Sequence, residues 1–296
     1  MAKYKTLLIC FSIYAILSCC TIKSDENNFK YDLNSPQTTL TLPDTLKEIS
    51  GLTMIDSSSI ACIQDENGIL FIYDVLQNKI KRQFTFNKDG DYEELARVGK
   101  AMYILRSDGE IYKLADYTID NSTLTSYSTA IPANDNEGLC YDKENNRLLI
   151  GAKGKIDDTK KNKDKRVIYE FHLQSNKLEE KPVLKFDTDK IEKYLSEKNI
   201  TPPTFEKNGK IILNPKLKFM TSAICIHPIT NQLYLISAMD HLLFIFNPDG
   251  SMAHVEVLDP KIFNKAEGIT FFENGDMLIS NEGQNKKPTL LKFSYK

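Results

Sequence analysis

A short motif that returns five times constrains the fold of this chain more than any other feature. The motif is an acidic or small polar residue, then a small residue in most copies, and then an apolar residue. Its copies are Ser50-Gly51-Leu52, Glu93-Glu94-Leu95, Glu137-Gly138-Leu139, Ser222-Ala223-Ile224 and Glu267-Gly268-Ile269. Successive copies are 43, 44, 85 and 45 residues apart. A period in the forties built of short strands is typical of β-propeller blades. We therefore predict an all-β chain that forms a single β-propeller, with five blades.

The spacing of 85 residues between the third and fourth copies leaves a second blade count open. Residues 187–219 do not repeat the motif, and apolar residues at Ile191, Tyr194 and Leu195 have the 3- and 4-residue spacing of one amphipathic helix. We interpret this stretch as an insertion, and a degenerate sixth blade is the alternative. Residues 155–166 are rich in lysine and aspartate and are predicted to form a second insertion, a solvated loop.

The propeller domain is predicted to span residues 38–296, with its two ends meeting. Only three strand patterns follow the start of the last motif copy, which leaves that blade one strand short of four. Thr38 to Leu42 alternates in the manner of a strand, and we expect it to complete this blade. Such closure would remove two exposed sheet edges. The polar residues 20–37 are predicted to be a flexible tether.

The first residues have the pattern of an export signal. Lys3 and Lys5 precede an apolar run, Leu7 to Leu17, that is too short for a comfortable transmembrane span. The next residues complete Ile16-Leu17-Ser18-Cys19, which resembles the bacterial lipobox, whose cysteine becomes lipidated. We predict a lipoprotein signal peptide over residues 1–19, with Cys19 as the lipidated residue and Cys20 as the alternative.

Lipidation would place the protein in the cell envelope, anchored to a bacterial membrane. Lys23-Ser24-Asp25-Glu26 looks like the charged export signal of surface lipoproteins in Bacteroidetes, so we expect the outer membrane, with surface exposure as one possibility. Two or more acyl chains anchor a protein stably, whereas one is marginal. An ordinary cleaved signal or an uncleaved membrane-tethered N-terminus is the alternative.

The composition excludes some functions. The chain has 38 basic and 40 acidic residues and a formal charge of −2, mostly interspersed, which argues against nucleic acid as a partner. Beyond the signal region the cysteines are Cys62, Cys140 and Cys225, an odd number that we interpret as buried free thiols. The four histidines lie at unrelated places in the repeats, so no histidine-rich metal site is predicted.

The repeated motif predicts a ring of side chains around the propeller axis. The innermost strand of each blade lines the central channel, and the loop that enters this strand lies at one mouth of it. We call the first motif residues the axial ring: Ser50, Glu93, Glu137, Ser222 and Glu267. Three carboxylates close together repel one another, and a hard cation such as Ca²⁺ or Mg²⁺ would relieve the repulsion. Glu93, Glu137 and Glu267 are therefore candidate metal ligands, with Ca²⁺ as the candidate cofactor. A purely structural ring that accepts backbone hydrogen bonds is the alternative.

A second set of polar residues follows strand 2 of the blades. Strand 2 runs antiparallel to strand 1, so these residues return toward the same mouth and could line a pocket for a small polar ligand. The set consists of Asp65, Glu66, Arg106, Lys153, Asp240 and Glu282.

The order of the motifs resembles the SdiA-regulated (YjiK-like) family of bacterial β-propeller proteins, here as a Bacteroidetes-type lipoprotein. The resemblance covers the chain from about residue 44 to its end. The residues that carry it are Glu48-Ile49-Ser50-Gly51-Leu52, Asp65-Glu66, Gly90-Asp91-Tyr92-Glu93, Asn136-Glu137-Gly138-Leu139, Ser222-Ala223-Ile224-Cys225-Ile226-His227-Pro228 and Glu267-Gly268-Ile269. The resemblance implies a propeller fold and no particular activity.

Two classes of function fit these observations. The first is a non-enzymatic, lipid-anchored binding or scaffold protein with a polar axial face, whose partner would be a small molecule, a glycan or an envelope protein. The second is a metal-dependent hydrolase that resembles lactonases or phytases and uses the axial carboxylates. The scarcity of histidines favours the first class.

Overall fold

The computed structural model describes residues 29–131, 135–156, 162, 164–203, 205–207, 210–212 and 216–296. The predicted signal peptide, the lipidation site at Cys19 or Cys20 and residues 20–28 of the predicted tether lie outside the described residues. In the described part, no helix is long and apolar enough to cross a membrane.

The strands of the described part form five antiparallel blades and one separate hairpin. The first strand is β1 (Thr38–Thr41), and one turn of 3₁₀ helix follows it at Asp44–Leu46. Blade one contains β2 (Ile49–Met54), β3 (Ser59–Gln64), β4 (Ile69–Asp74) and β5 (Lys79–Thr85). Blade two contains β6 (Tyr92–Val98), β7 (Ala101–Arg106), β8 (Glu110–Leu114) and β9 (Leu124–Ser128).

Blade three has a divided outer edge. Its strands are β10 (Asn136–Asp142), β11 (Arg147–Ala152), β12 (Lys165–His172), β13 (Lys177–Leu178) and β14 (Leu184–Asp187). Both β13 and β14 pair with β12, at its opposite ends, so the two short strands together occupy the place of a fourth strand.

Within the described residues, the insertion between blades three and four adds no blade. It contains α1 (Thr188–Glu197) and a hairpin of β15 (Phe205–Lys207) and β16 (Lys210–Ile212), whose two strands pair with each other and with no other described strand. The Asp187 side chain caps the helix by accepting hydrogen bonds from the backbone N–H groups of Asp189 and Lys190. The predicted helix is confirmed, and the five-blade prediction holds over the six-blade alternative. In the other insertion, residues 157–161 and 163 are outside the described part, and β12 already begins within the predicted loop.

The last two blades complete the ring. Blade four contains β17 (Ala223–Ile226), β18 (Leu233–Ser237), β19 (Leu242–Phe246) and β20 (Met252–Val257). Blade five contains β21 (Ala266–Phe271), β22 (Met277–Asn281), β23 (Thr289–Phe293) and, from the start of the chain, β1. Thr38 pairs with Lys292 and Thr41 with Thr289, which confirms the predicted closure strand.

The innermost strands β2, β6, β10, β17 and β21 contact one another in a closed cycle. Five hydrophobic clusters fill the spaces between successive blades. Strand β3 shows why a blade is buried on both faces. Its Ala61 and Ile63 pack against blade two, whereas its Ile60 and Cys62 pack against blade five.

Residues 29–37, which we call the N-terminal arm, differ from the predicted tether. Tyr31 and Leu33 are each 5% exposed and belong to the cluster between blades four and five. The Phe29 ring stacks on His254, with 5.1 Å between ring centroids. These three apolar side chains pack against the propeller, so this part of the predicted tether is a packed arm.

The cysteines in the described residues are free, and Cys62 and Cys140 are buried. Burial raises the pKa of Cys62 and of Cys225 to about 12. The thiols therefore serve as small apolar side chains in the propeller.

Candidate functional site at the axial mouth

Four of the five motif copies coincide with a β-bulge; the exception is the copy that begins at Ser222. The pairing of the innermost strand with strand 2 shifts register across Ser50, Glu93, Glu137 and Glu267. A bulge leaves one residue unpaired and re-aims its side chain. The bulge explains why these side chains do not alternate into the spaces between the blades with the rest of their strands.

The small residue after the bulge is a steric requirement. A Cβ atom on Gly268 would lie 2.1 Å from Cδ2 of Leu52, and one on Gly51 would lie 2.4 Å from Oε1 of Glu94. Glu94 replaces the glycine in blade two, and its side chain occupies the space beside Gly51. Its Oε1 accepts hydrogen bonds from the backbone N–H groups of Leu52 and Leu95, at 3.0 Å each.

Three carboxylates converge at the mouth between blades two and three. One oxygen each from Glu93, Asp135 and Glu137 lie within 4.8 Å of one another, and we call these residues the carboxylate cluster. Glu137 is 6% exposed, and its Oε2 has no hydrogen-bond partner among the described residues. The Lys153 ammonium group pairs with Oε1 of Glu137 and lies 3.6 Å from Oδ2 of Asp135.

Burial and mutual repulsion raise the pKa values of the carboxylate cluster. Burial and then the charges of Glu137, Asp91 and Asp135 raise the pKa of Glu93 to about 9. Burial and the charge of Glu267 raise the pKa of Glu137 to about 8, even though Lys153 opposes the rise. Carboxyl groups with such pKa values hold protons near neutral pH unless a cation replaces them.

Blade five carries a related arrangement in which the acidic and basic positions are exchanged: Lys265 takes the place of Asp135, and Glu282 takes the place of Lys153. Here Lys265 precedes the innermost strand and pairs with Glu282, which follows strand 2, and its Nζ lies 3.6 Å from Oε1 of Glu267. Burial raises the pKa of Glu267 to about 7, while Lys265 lowers it and Glu282 raises it. Burial and then the neighbouring Glu48 and Glu282 raise the pKa of Asp65 to about 6.

The structure brings together only part of the predicted second set. Lys153, Glu282 and Asp65 interact with the axial ring or with its neighbours, as described above. Arg106 instead pairs with Asp108 on the turn after β7. Asp240 is a buried turn residue that accepts hydrogen bonds from the backbone N–H groups of Lys218 and Phe219.

The remaining predicted residues have local partners. The Ser50 hydroxyl donates to the carbonyl oxygen of Tyr92 at 2.8 Å. A hydrogen bond between the Ser222 and Glu267 side chains lowers the pKa of Glu267. The Glu66 backbone N–H donates to the Gln64 side chain at 2.6 Å, and Glu66 contributes to the raised pKa of Asp65.

Two residues of the mouth were not predicted, Asp135 and Lys265. Both lie two positions before an axial-ring glutamate, and both have a positive φ, of 70° and 54°. The backbone N–H of Lys153 donates to the Asp135 carbonyl oxygen, and that of Glu282 donates to the Lys265 carbonyl oxygen, at 2.9 and 3.0 Å. Extending the motif alignment two residues upstream would have identified this position.

Comparison with known proteins supports the fold. No protein-family model and no curated protein matches the chain. A glutaminyl cyclase from Myxococcus xanthus, a β-propeller protein, has a TM-score of 0.53 at 13% identity, over 88% of this chain and 95% of that chain. A luciferin-regenerating enzyme has a TM-score of 0.51 at 8% identity, over 88% and 95%. A streptogramin B lyase has a TM-score of 0.47 at 12% identity, over 87% and 97%. At these identities the two similarities with TM-scores above 0.5 support a β-propeller fold and say nothing about activity.

Proposed function

We propose that this protein is a lipid-anchored binding protein of the bacterial cell envelope that holds a divalent cation, preferably Ca²⁺, at the axial mouth. The observation that carries the proposal is the carboxylate cluster, in which the buried Oε2 of Glu137 has no partner among the described residues. The cluster supplies only oxygen ligands, which are those that Ca²⁺ and Mg²⁺ prefer.

The charge balance of the mouth supports a cation. Lys153 faces two carboxylates of the cluster, and Lys265 faces Glu267 and Glu282, so each lysine is shared between acids. A divalent cation would complete the neutralisation and replace the protons that the raised pKa of Glu93 implies. Ca²⁺ suits the cluster better than Mg²⁺ does because it accepts six to eight oxygens in flexible geometry, including bidentate carboxylates.

Thermal unfolding of residues 21–296 is the direct test, because the closed ring is complete within this part of the chain. We expect the midpoint to be lowest in excess EDTA and to rise when Ca²⁺ is added, with a smaller rise for Mg²⁺. A ligand that binds only the folded state stabilises it by roughly 2.7 kcal/mol at a hundredfold excess over its dissociation constant. Equal midpoints in EDTA and in every divalent cation would refute the proposal.

Three variants sharpen this test. Glu93→Gln and Glu137→Gln remove one ligand each and should abolish most of the Ca²⁺-dependent shift. Lys153→Met removes the cation that competes for Glu137 and Asp135, and should tighten Ca²⁺ binding. Glu197→Gln, on the exposed end of α1, is the matched control and should respond to Ca²⁺ as the wild type does.

The lipid anchor has its own test. We expect Cys19→Ala to move the protein from the membrane fraction to the soluble fraction, because the acyl chains would be lost. Cys20→Ala is the matched control and should leave the protein in the membrane fraction. Release by Cys20→Ala with retention of Cys19→Ala would assign lipidation to Cys20.

The resemblance to the SdiA-regulated family implies no activity and names no ligand. A small molecule, a glycan or another envelope protein would bind beside the cation. The alternative is a metal-dependent hydrolase, in which Lys153 would face the substrate. It predicts Ca²⁺-dependent cleavage of lactone or phosphate esters that Glu93→Gln abolishes, whereas the binding proposal predicts no turnover.

A further inference from the structure

The channel also opens at its other end, which we call the far mouth. A cavity of about 590 Å³ lies there, and all five innermost strands or the loops that follow them contribute to its wall. Its volume is within the usual range for sites that bind small organic molecules. The axial-ring residues do not line it, so this cavity is separate from the carboxylate cluster.

The wall of this cavity presents both polar and apolar surface and includes one cation at the end of β6. Its apolar part includes Met54, Ile226 and Phe271, each from a different blade. Arg97 Nε donates to the carbonyl oxygen of Met54 at 2.9 Å, and Nη1 donates to that of Gly99 at 3.3 Å. These two bonds hold the guanidinium group in place without neutralising it.

Arg97 differs from the other arginines on the blade surfaces. Arg82, Arg106 and Arg147 each pair with at least one carboxylate. Within the described residues, Arg97 pairs with no carboxylate, and its Nη2 has no acceptor. A guanidinium group that is positioned by backbone carbonyls and left without an anion is suited to bind a carboxylate.

The rim of the far mouth carries further charges that limit the ligand. Lys143 is exposed there, as are Glu144 and Glu273. Glu144 Oε2 accepts a hydrogen bond from the Asn231 side chain at 2.6 Å, so it is engaged with the protein. The rim is close to neutral overall, which favours one negative group on the ligand over several.

We propose that the far mouth binds a small organic monocarboxylate with an apolar body, whose carboxylate group pairs with Arg97. The apolar part of the ligand would lie against Met54, Ile226 and Phe271 inside the cavity. This site would be independent of the cation at the axial mouth.

Three probes with the same ring and different head groups test the charge requirement. We would measure binding of phenylacetate, phenylacetamide and phenethylamine to residues 21–296 by ligand-observed saturation-transfer NMR and titration. Phenylacetate should bind about ten times more tightly than the neutral amide or the amine, a difference of about 1.4 kcal/mol, because only the carboxylate forms a charge-assisted pair with the guanidinium group. Equal binding of the three probes, or no binding of phenylacetate, would overturn the proposal.

Variants then assign the binding to Arg97. Arg97→Gln should weaken phenylacetate binding about tenfold or more and abolish the preference over the amide. Arg97→Lys keeps the charge but loses the planar guanidinium group, so its affinity for phenylacetate should fall between those of the wild type and Arg97→Gln. If Arg97→Gln does not fold, Arg97→Lys is the deciding variant, since wild-type affinity in Arg97→Lys would contradict the assignment. Glu197→Gln, on the exposed end of α1, should bind phenylacetate as the wild type does.

Discussion

In EDTA, the free energy of unfolding is expected to fall as the pH rises from about 4.5 to about 9. Glu93, Glu137 and Glu267 have native pKa values of about 9, 8 and 7, each above the usual 4.5. In this range the native ring holds protons that the unfolded chain has released. The folded state therefore loses stability with rising pH until the native carboxyl groups have also ionised.

The buried histidine of blade four opposes this trend below pH 6.5 without reversing it. Burial lowers the pKa of His227 from 6.5 to about 4. Below pH 6.5 the unfolded chain binds a proton that native His227 does not, so acid destabilises the protein through this residue. Three glutamates outweigh one histidine, so the cation-free protein should go on gaining stability as the pH falls toward about 4.5, where the glutamates of the unfolded chain also bind protons.

The size of the effect follows from the number of protons. For each proton that the native state holds and the unfolded state does not, the free energy of unfolding falls by about 1.4 kcal/mol for every unit by which the pH rises. Urea unfolding at several pH values measures this slope. Ca²⁺ should flatten the slope, because a bound cation keeps the cluster ionised, and Glu93→Gln should flatten it in EDTA.

The same slope in EDTA for wild type and Glu93→Gln would show that Glu93 is ionised in the native protein. Glu197→Gln is again the control, since this exposed side chain on α1 should leave the slope unchanged. A slope that Ca²⁺ leaves unchanged while it raises the unfolding midpoint would place the cation away from the cluster.

The fold could be predicted because the same sequence pattern, with the same packing requirement, occurs five times. The apolar third residue of each motif copy, such as Leu52 or Ile269, has to pack against a neighbouring blade, and the period of the repeat sets the blade length. The closure strand followed from the missing fourth strand of the last blade. Both inferences depend on repeated patterns of polar, small and apolar residues, which are visible in the sequence.

The site could be predicted only in part, because side-chain direction depends on local backbone geometry. Asp135 and Lys265 reach the mouth from backbone with a positive φ just before the innermost strand, and a strand pattern does not show this conformation. Arg106 and Lys153 both come near the end of strand 2, yet only Lys153 reaches the axial ring. Arg106 is the last residue of β7, whereas Lys153 is the first residue after β11. The residue of blade two that is equivalent to Lys153 is therefore Ser107.

The N-terminal arm could not be predicted from its composition. Residues 29–37 are polar on average, and the burial of Tyr31 and Leu33 depends on the shape of the ring beneath them. Charged and amide residues of the arm remain on the surface, which is why the stretch has the composition of a linker. A packed arm of this kind has a measurable share in the stability of the ring.

We expect Tyr31→Ala to cost about 3 to 5 kcal/mol of unfolding free energy, which is typical for removing a buried aromatic side chain. The Tyr31 ring packs among His227, Tyr234 and Tyr295. Its hydroxyl lies 2.8 Å from Nε2 of His227 and donates to the Gly275 carbonyl oxygen at 2.5 Å. Urea unfolding at pH 7 gives the change directly, and deletion of residues 29–37 should cost at least as much.

The hydrogen bonds of His227 explain why Tyr31 matters beyond its size. Nδ1 of His227 accepts from the backbone N–H groups of Ile229 and Thr230, at 3.3 and 3.1 Å, so Nε2 carries the proton of the neutral ring. That proton is donated to the Tyr31 hydroxyl. Tyr31→Phe would leave the Nε2–H group without an acceptor, at a cost of about 1 to 3 kcal/mol.

The two Tyr31 variants together separate packing from hydrogen bonding. The difference between Tyr31→Phe and Tyr31→Ala measures the aromatic packing, and the loss in Tyr31→Phe measures the hydroxyl. Lys30→Ala, on the exposed side of the same arm, should change stability by no more than about 0.5 kcal/mol. If Tyr31→Ala were as mild as Lys30→Ala, the arm would be detached in solution, and the ring would be held closed by the pairing of β1 with β23 alone.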